Sequence, residues 1–370
     1  MRRLFLNLLT MHATNVLLVA GAGTNELEKD LECHIWLAPS TLEGAGLGMF
    51  AGRDFQAEEA LAHDLVVPIV DIMLQNEHEQ FTFLWDQYTW NAETVLMDDE
   101  CAFDCNGASP GFGAAANSFL PLVNVEEGWP LQDSAGLHRS KDPGVGAFTE
   151  YHGRTSTATQ KISAGQEFYV DYGSQWFQYR EFLGPIPLYD DLKHATWLFK
   201  KFRSLRNSLS LVRTDADDLM EELWEAFVRQ TNFTKSRVIG SFHHDDRDEL
   251  TELDKTGGDM EALRRQQSSR SLEWLQEHGT CGDHIVAGPS TLRQAGRGAI
   301  ATRDLPVGTV LAQLPLIHVT ERSRLDTYPV VQKGNYPPLP DKSGRKSSQL
   351  LLNYCYGHEE STLLLCPYGM

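Results

Sequence analysis

The sequence predicts an α+β protein in which short strands alternate with inserted helices. Three observations lead to this prediction: a gapless internal repeat, short apolar segments separated by glycine-rich turns, and amphipathic helical segments between the two repeat copies. The 370 residues include 41% hydrophobic and 22% charged residues, as in ordinary globular proteins. A chain of this length is long enough to form two or three domains.

The internal repeat defines the units of the chain. Residues 34–55 read HIWLAPSTLEGAGLGMFAGRDF, and residues 284–305 read HIVAGPSTLRQAGRGAIATRDL, with 12 of 22 positions identical and no gap. Chance does not readily produce such a match, so the chain carries two copies of one unit. In each copy, apolar residues flank a Gly-x-Gly pair, which predicts two short strands joined by a tight turn at the glycines.

The region 186–280 has a different pattern and is predicted to be a helical linker. Apolar residues recur at helical spacing over Leu192–Leu205 and again over Leu219–Val228. A polar, acidic stretch at 241–259 predicts a loop, and a third helix is predicted over Ser271–His278.

Net charge and hydropathy indicate which binding partners and which cellular compartment to expect. The net charge of -19 disfavours direct binding of nucleic acid and favours a basic partner. The sequence has no uninterrupted stretch of 18 or more apolar residues, so no membrane-spanning helix is predicted. Residues 1–22 resemble a signal peptide that ends in Ala20-Gly21-Ala22, and an ordinary apolar helix is the alternative. We expect the secretory pathway if this signal acts, and the cytoplasm or nucleus otherwise.

The cysteine content is too low for a disulfide scaffold. The spacing of Cys101 and Cys105 is compatible with two free thiols or with a local disulfide, and it is a weak pattern for zinc. The six cysteines are Cys33, Cys101, Cys105, Cys281, Cys355 and Cys366.

Two motifs carry a resemblance to a known family. Gly46-Leu47-Gly48, followed by Ala51-x-Arg53-Asp54, resembles the opening motif of SET domains. The segment from Ile162 to Gly173, IxAGQEFxxDYG, resembles their closing motif, Ile-x-x-Gly-Glu-Glu-Leu-x-x-Asp-Tyr-Gly. The chain is therefore identified as a SET-domain protein of the protein-lysine methyltransferase type. Its first SET unit is expected over 30–185, and the N-terminal half of a second over 281–370.

This resemblance implies a fold, a cofactor and a reaction. A SET unit consists of several short twisted antiparallel sheets around a pseudoknot, and it transfers a methyl group from S-adenosyl-L-methionine to a protein lysine. A free lysine has a pKa near ~10.4, so such a site must favour the neutral amine. The implied cofactor contacts are Gly46, Leu47, Gly48 and Asn117, and the implied catalytic residue is Tyr172.

The central motif departs from the family pattern Asn-His-Ser-Cys-x-Pro-Asn. Asn117 is present, but Ser118 follows it in place of histidine, and the second asparagine, Asn124, comes one residue late. The cysteine that ligates zinc in some members is absent, and no cysteine cluster follows Tyr172, so we expect no metal. These departures leave two alternatives: a lysine methyltransferase, or a catalytically inactive SET-derived module that binds proteins.

Other sequence features bear on these two alternatives. The Gly-x-Gly pair lacks the third glycine and the βαβ context of a dinucleotide site, which disfavours an oxidoreductase. The second unit includes Asn353–His358 but no closing motif, so we expect it to form no complete site alone. A shortened gene product and a natural half-domain both fit this observation.

Overall fold

The computed structural model describes most of the chain from residue 32 onward. The N-terminal segment 1–31 and the pair Cys101 and Cys105 lie outside the described residues, so the predictions made for them stay predictions. The described ranges are 32–69, 90–91, 106–109, 111–128, 130, 152–230, 236–242, 252–253, 255–292, 297–311, 316–328, 344 and 347–367.

The strands are short and lie in small sheets. In chain order they are β1 Ile35–Pro39, β2 Leu47–Ala51, β3 Ala60–Ile69, β4 Trp90–Asn91, β5 Asn106–Ala108, β6 Val125–Gly128, β7 His152–Ala158, β8 Thr280–Cys281, β9 Ile285–Pro289, β10 Arg297–Ala301, β11 Leu316–Val319, β12 Asp326–Thr327, β13 Ser347–Ser348, β14 Tyr356–Gly357 and β15 Leu364–Pro367.

Every pairing between these named strands is antiparallel, and one isolated parallel bridge joins Asn117 to Tyr169. The sheets have the strand orders β2-β1-β8, β4-β5-β3-β7-β6, β10-β9, β11-β15-β14 and β12-β13. Together with the helices, these small open sheets confirm the predicted α+β class. The pseudoknot and the two-unit division stay predictions.

Six helices with defined bounds are described, and all of them lie between the repeat copies. They are α1 Phe112–Ala115, α2 Ser174–Gln178, α3 Asp191–Ser210, α4 Ala216–Gln230, α5 Met260–Gln267 and α6 Leu272–His278. The two helices predicted from apolar spacing correspond to α3 and α4, and the third predicted helix corresponds to α6. Residues 252, 253 and 255 are also helical, so the loop prediction for 241–259 is wrong at these positions. In the part of the chain that is described, none of the helices is long and apolar enough to cross a membrane.

Helix α5 was not predicted from the sequence. Only Met260, Leu263 and Arg264 are buried in its eight residues, so its apolar pattern is short. The Asp259 side chain accepts a hydrogen bond from the backbone N–H of Ala262 and caps the helix. Burial against Leu192 and Ala195 of α3 therefore holds this segment in a helix.

The two repeat copies form hairpins with the same register. In the first copy Ile35 pairs with Ala51 and Pro39 with Leu47. In the second copy Ile285 pairs with Ala301 and Pro289 with Arg297. Each of these four positions in the second hairpin is the repeat equivalent of its counterpart, so the internal repeat extends from sequence to backbone geometry.

The turn predicted at both glycines of the Gly-x-Gly pair includes only the first of them. Gly46 has a φ of 77° and belongs to the turn, as predicted, and so does Gly44 with a φ of 76°. Gly48, however, lies inside strand β2 and pairs with Ala38. The second glycine of the motif is therefore not a turn residue, and its physical role is described with the site below.

Two disulfide bonds were not predicted. Cys33 is bonded to Cys281 over a sequence separation of 248. Cys355 is bonded to Cys366 over a separation of 11 residues. The first bond joins the edge of the β1 hairpin to β8, where it packs with Trp36 and Leu275. It therefore ties the start of one repeat copy covalently to the start of the other.

Candidate functional site

The segment Ile162–Gly173, which we call the closing segment, lies along the outer edge of β2. The backbone N–H of Ala51 donates to Gln166 O at 2.8 Å, and the N–H of Gly165 donates to Ala51 O at 2.7 Å. The N–H of Phe168 donates to Met49 O at 2.8 Å. The two motifs that carry the family resemblance are therefore joined by backbone hydrogen bonds and by the isolated bridges Phe50–Glu167 and Phe55–Ile162, although more than 100 residues separate them in sequence.

A buried carboxylate stands at the centre of this junction. Glu167 is only 1% exposed, and it accepts hydrogen bonds from Ser40 Oγ at 2.6 Å, from Thr41 N at 2.8 Å and from Thr41 Oγ1 at 2.5 Å. Asn117 Nδ2 donates to it at 3.1 Å, and the Tyr169 hydroxyl at 3.2 Å. This set of donors compensates the cost of burying the charge.

Glu167 also explains why position 48 is glycine. A β-carbon on Gly48 would clash with Glu167 Oε1, and it would lie 3.1 Å from Asn117 Nδ2. Close approach of a buried side chain is a recognised reason for glycine within a strand. The second glycine of the motif thus makes room for the carboxylate.

Asn117 joins the opening motif to the closing segment. Its Nδ2 donates to Leu47 O at 2.8 Å as well as to Glu167, while its Oδ1 accepts no hydrogen bond from the described residues. No described atom lies within 4 Å of the position that a β-carbon on Gly46 would take. Gly46 and Leu47 are exposed and Asn117 is half-buried, whereas Gly48 is buried against Glu167. The structure therefore brings the four predicted cofactor residues close together, but only Gly46, Leu47 and Asn117 are accessible.

Tyr172, near the end of the closing segment, contacts the residues on either side of Asn117. Its hydroxyl donates to Ala116 O at 2.9 Å, and its backbone N–H donates to Ser118 Oγ at 3.3 Å. The ring is half-buried and contacts Trp176 edge-on, with centroids 5.2 Å apart. Tyr172 is therefore held by the residues immediately before and after Asn117.

Asn124 has a structural position that the motif spacing alone does not reveal. Its side chain is buried, its Nδ2 donates to Glu167 O at 3.0 Å, and its Oδ1 accepts from Tyr169 N at 2.8 Å. The side-chain amide thus pairs with the closing segment as a neighbouring strand would. The one-residue shift from the family motif is compatible with this bracing role.

A second buried charge cluster supports helix α1. Asp64 accepts from the backbone N–H groups of Phe112 at 3.2 Å and Gly113 at 2.9 Å. The fully buried Arg154 lies opposite Asp64 in the sheet and forms an ion pair with Glu127 at 3.3 Å. Burial raises the pKa of Glu127, and the charge of Arg154 offsets only part of that rise.

One group of side chains has the spacing of a metal site among the described residues. It consists of Cys33, Cys281 and Asp283. The two sulfur atoms are bonded to each other, and Asp283 forms an ion pair with Arg303 at 2.8 Å. In this state the group is a structural crosslink.

Three site residues were missed by the sequence analysis: Glu167, Ser40 and Thr41. A signal for all three was present. Glu167 belongs to the quoted closing motif, and Ser40-Thr41 is identical in both repeat copies. The burial of Glu167 against Gly48 depends on the fold, so the motif pattern alone does not distinguish this glutamate from an exposed one.

No protein-family model matches the chain, and no curated protein matches it either. Among solved structures the chain is similar to a candidate histone methyltransferase of Plasmodium falciparum, with TM-score 0.27 and 17% identity over 40% of this chain and 99% of that one. It is similar to the methyltransferase domain of human PR domain-containing protein 2, with TM-score 0.25 and 12% identity over 40% of this chain and 82% of that one.

A third similar structure is Polycomb Repressive Complex 2 of Chaetomium thermophilum in an autoinhibited conformation bound to S-adenosylmethionine. Its TM-score is 0.26 and its identity 16%, over 67% of this chain and 32% of that one. At these TM-scores, the three likenesses establish neither a family nor an activity for this chain.

Proposed function

We propose that the unit over residues 30–185 is a SET domain that transfers a methyl group from S-adenosylmethionine to a lysine of a protein substrate. One observation carries the proposal. Asn117 Nδ2 bonds both Leu47 O and Glu167 Oε1, so the opening, central and closing motifs meet at one side chain. Three motifs that lie far apart in sequence are therefore joined directly in the fold.

The chain's own groups fit the proposed cofactor. The exposed backbone at Gly46, the exposed Leu47 and the Asn117 Oδ1, which accepts no hydrogen bond from the described residues, form a surface with a hydrogen-bond acceptor and room for close backbone approach. The buried carboxylate of Glu167 lies beside this surface and favours a cationic ligand. When bound, S-adenosylmethionine supplies a methyl group on a positively charged sulfur.

Tyr172 is the proposed group that orients the lysine amine. The Tyr172 hydroxyl donates to Ala116 O, and a hydroxyl oxygen is also a hydrogen-bond acceptor of the kind that can orient an amine N–H. Alignment of the amine with the methyl group contributes more to such a transfer than acid catalysis does. The amine must also lose its proton, since a free lysine has a pKa near ~10.4.

The proposal extends to the topology and to the second unit. Val170 N donates to Asn117 O at 3.0 Å, and Asn124 N and Val125 N both donate to Tyr169 O at 3.1 Å. This crossing of two distant segments supports a pseudoknot. The identical hairpin register of 285–301 supports a partial second SET unit.

Charge and cysteine chemistry support the proposed partner and compartment. The net charge of -19 favours a basic, lysine-bearing protein as substrate. The two disulfides, Cys33–Cys281 and Cys355–Cys366, favour an oxidising compartment such as the secretory pathway. A secreted enzyme would act on basic proteins outside the nucleus.

A catalytically inactive protein-binding module is the second candidate, and one observation favours it. Ser118 stands where the family motif has histidine, is buried, and uses its hydroxyl oxygen to accept from Tyr172 N. A hydroxyl group here does not fill the volume of an imidazole ring or supply its second nitrogen. The module reading predicts this fold without cofactor affinity.

Calorimetric titration with S-adenosylmethionine separates the two candidates. The enzyme reading predicts saturable binding below millimolar cofactor, weakened by Asn117→Ala, which removes the free Oδ1. Tyr179→Phe, on an 80% exposed side chain outside the site, is the control and should leave binding unchanged. Absence of binding at millimolar concentration by a folded protein contradicts the enzyme and supports the module.

A further inference from the structure

The second hairpin has an edge that the first hairpin uses for pairing. In the first copy, Ala51 and Met49 point their backbone N–H and C=O groups outward and bond the closing segment. The equivalent residues of β10 are Ala301 and Ala299. In the described part of the chain β10 pairs with β9 alone, and Ala299 and Ala301 are exposed, so no described residue covers this edge of the two-stranded sheet. Open edges are templates for pairing with another extended segment.

The niche that holds the Glu167 carboxylate is repeated beside this edge. In the first copy, Ser40 Oγ accepts from Leu42 N at 3.0 Å and donates to Glu167. In the second copy, Ser290 Oγ accepts from Leu292 N at 3.1 Å, which is the same local turn. Ser290 and Thr291 therefore present the same hydroxyl and N–H donors.

The two glycines at the niches have opposite surroundings. A β-carbon on Gly48 would clash with Glu167. The three atoms nearest to a β-carbon on Gly298 would all belong to Ser290, at 3.4 to 3.6 Å, which is ordinary van der Waals contact. Among the described residues no carboxylate enters the second niche. Consistently, Ala51 is fully buried, whereas its equivalent Ala301 is exposed.

The first copy shows what such an edge binds. Residues 165–168, with the sequence Gly-Gln-Glu-Phe, supply backbone groups to β2, a carboxylate to the Ser-Thr niche and the Phe168 ring to the core. Gly165 has a φ of 87°, so glycine is favoured at that position. The sequence contains one such segment, and β2 already binds it.

We propose that the edge of β10 and the Ser290–Thr291 niche bind an extended segment of a partner protein with the pattern Gly-x-Glu-apolar. The segment adds a strand to β10 by backbone hydrogen bonds, and its glutamate enters the niche beside Gly298. Backbone pairing provides affinity, and the carboxylate fixes register and selects the sequence. This interaction is independent of the proposed methyl transfer, because it uses none of the residues at the first site.

A labelled peptide with the sequence of residues 160–173 tests the proposal. We expect the full chain to bind it saturably in fluorescence anisotropy. A Glu167→Gln peptide should bind about tenfold or more weakly, since it loses a charge-assisted hydrogen bond. In the protein, Gly298→Ala should weaken binding of the unchanged peptide by a similar factor or more, because the added methyl fills the niche.

Two further variants keep the test decisive. Thr291→Val removes a hydroxyl donor without adding bulk and should also weaken binding. Leu211→Asp changes an 85% exposed apolar side chain on a distant helix end and should leave binding unchanged. The proposal is overturned if the folded protein does not bind the peptide. It is equally overturned if Gly298→Ala and Thr291→Val leave binding unchanged, because the peptide would then be bound elsewhere.

Discussion

The carboxylate of Glu167 occupies the space beside the α-carbon of Gly48 that a β-carbon would need. Each residue therefore accounts for the other: the glycine makes room for the carboxylate, and the carboxylate fixes the loop that carries Ser40 and Thr41. The repeat equivalent, Gly298, has no such neighbour among the described residues. This contrast gives the chain an internal control.

Alanine at the two glycines should have unequal effects on stability. We expect Gly48→Ala to destabilise the fold by about 1–3 kcal/mol, because the methyl group displaces Glu167 from its donors. We expect Gly298→Ala to change stability by no more than about 0.5 kcal/mol, because its methyl group meets only ordinary contacts. Urea unfolding of the two variants measures this difference. Equal effects at both positions would mean that the carboxylate does not occupy the first niche.

The two disulfides should contribute unequally. Cys33–Cys281 closes a separation of 248 residues and Cys355–Cys366 one of 11. On loop entropy alone, these bonds stabilise the fold by about 5 and about 3 kcal/mol. We therefore expect the Cys33→Ser, Cys281→Ser pair to lower the free energy of unfolding more than the Cys355→Ser, Cys366→Ser pair does. Thermal unfolding without reductant checks the order, and the reverse order contradicts it.

Glu127 should contribute a pH dependence of definite sign. Burial raises its pKa above the ordinary 4.5, so the folded protein holds this proton more tightly than the unfolded chain. The resulting stabilisation is complete below about pH 4.5 and is lost as pH rises through the raised pKa. A glutamine side chain does not titrate, so Glu127→Gln should remove this loss of stability at higher pH.

Urea unfolding at several values between about pH 4 and 7 checks that prediction. Glu126→Gln is the matched control, because Glu126 is the exposed neighbour on the same strand. The wild type and the control should share one pH dependence, from which Glu127→Gln departs. If all three proteins show the same pH dependence of the free energy of unfolding, the buried carboxyl of Glu127 does not cause that dependence.

Much of the fold could be predicted from the sequence, and for identifiable reasons. Helices α3 and α4 have long apolar stripes, and α6 has Ser271 and Gly279 at its ends, so local pattern was sufficient. The two hairpins followed from the gapless repeat. Helix α5 has too short an apolar pattern, because packing against α3 rather than its own periodicity holds it.

The candidate site was predicted only in part. The motifs identified the glycines, Asn117 and Tyr172, which do lie near one another. The sequence did not show that Glu167 is buried, because burial depends on donors from a loop more than 100 residues away. The Cys33–Cys281 bond was likewise hidden, since a pairing between distant cysteines follows from the fold and not from spacing.

Methyl transfer itself is the central claim, and mass spectrometry of a basic, lysine-containing peptide incubated with the full chain and S-adenosylmethionine tests it most directly. The proposal predicts a methyl adduct on lysine, lost on heating the protein and strongly reduced by Tyr172→Phe, while Tyr179→Phe keeps the wild-type rate. An unchanged rate in Tyr172→Phe would assign the wrong tyrosine. No adduct from a folded protein at saturating cofactor would contradict the account.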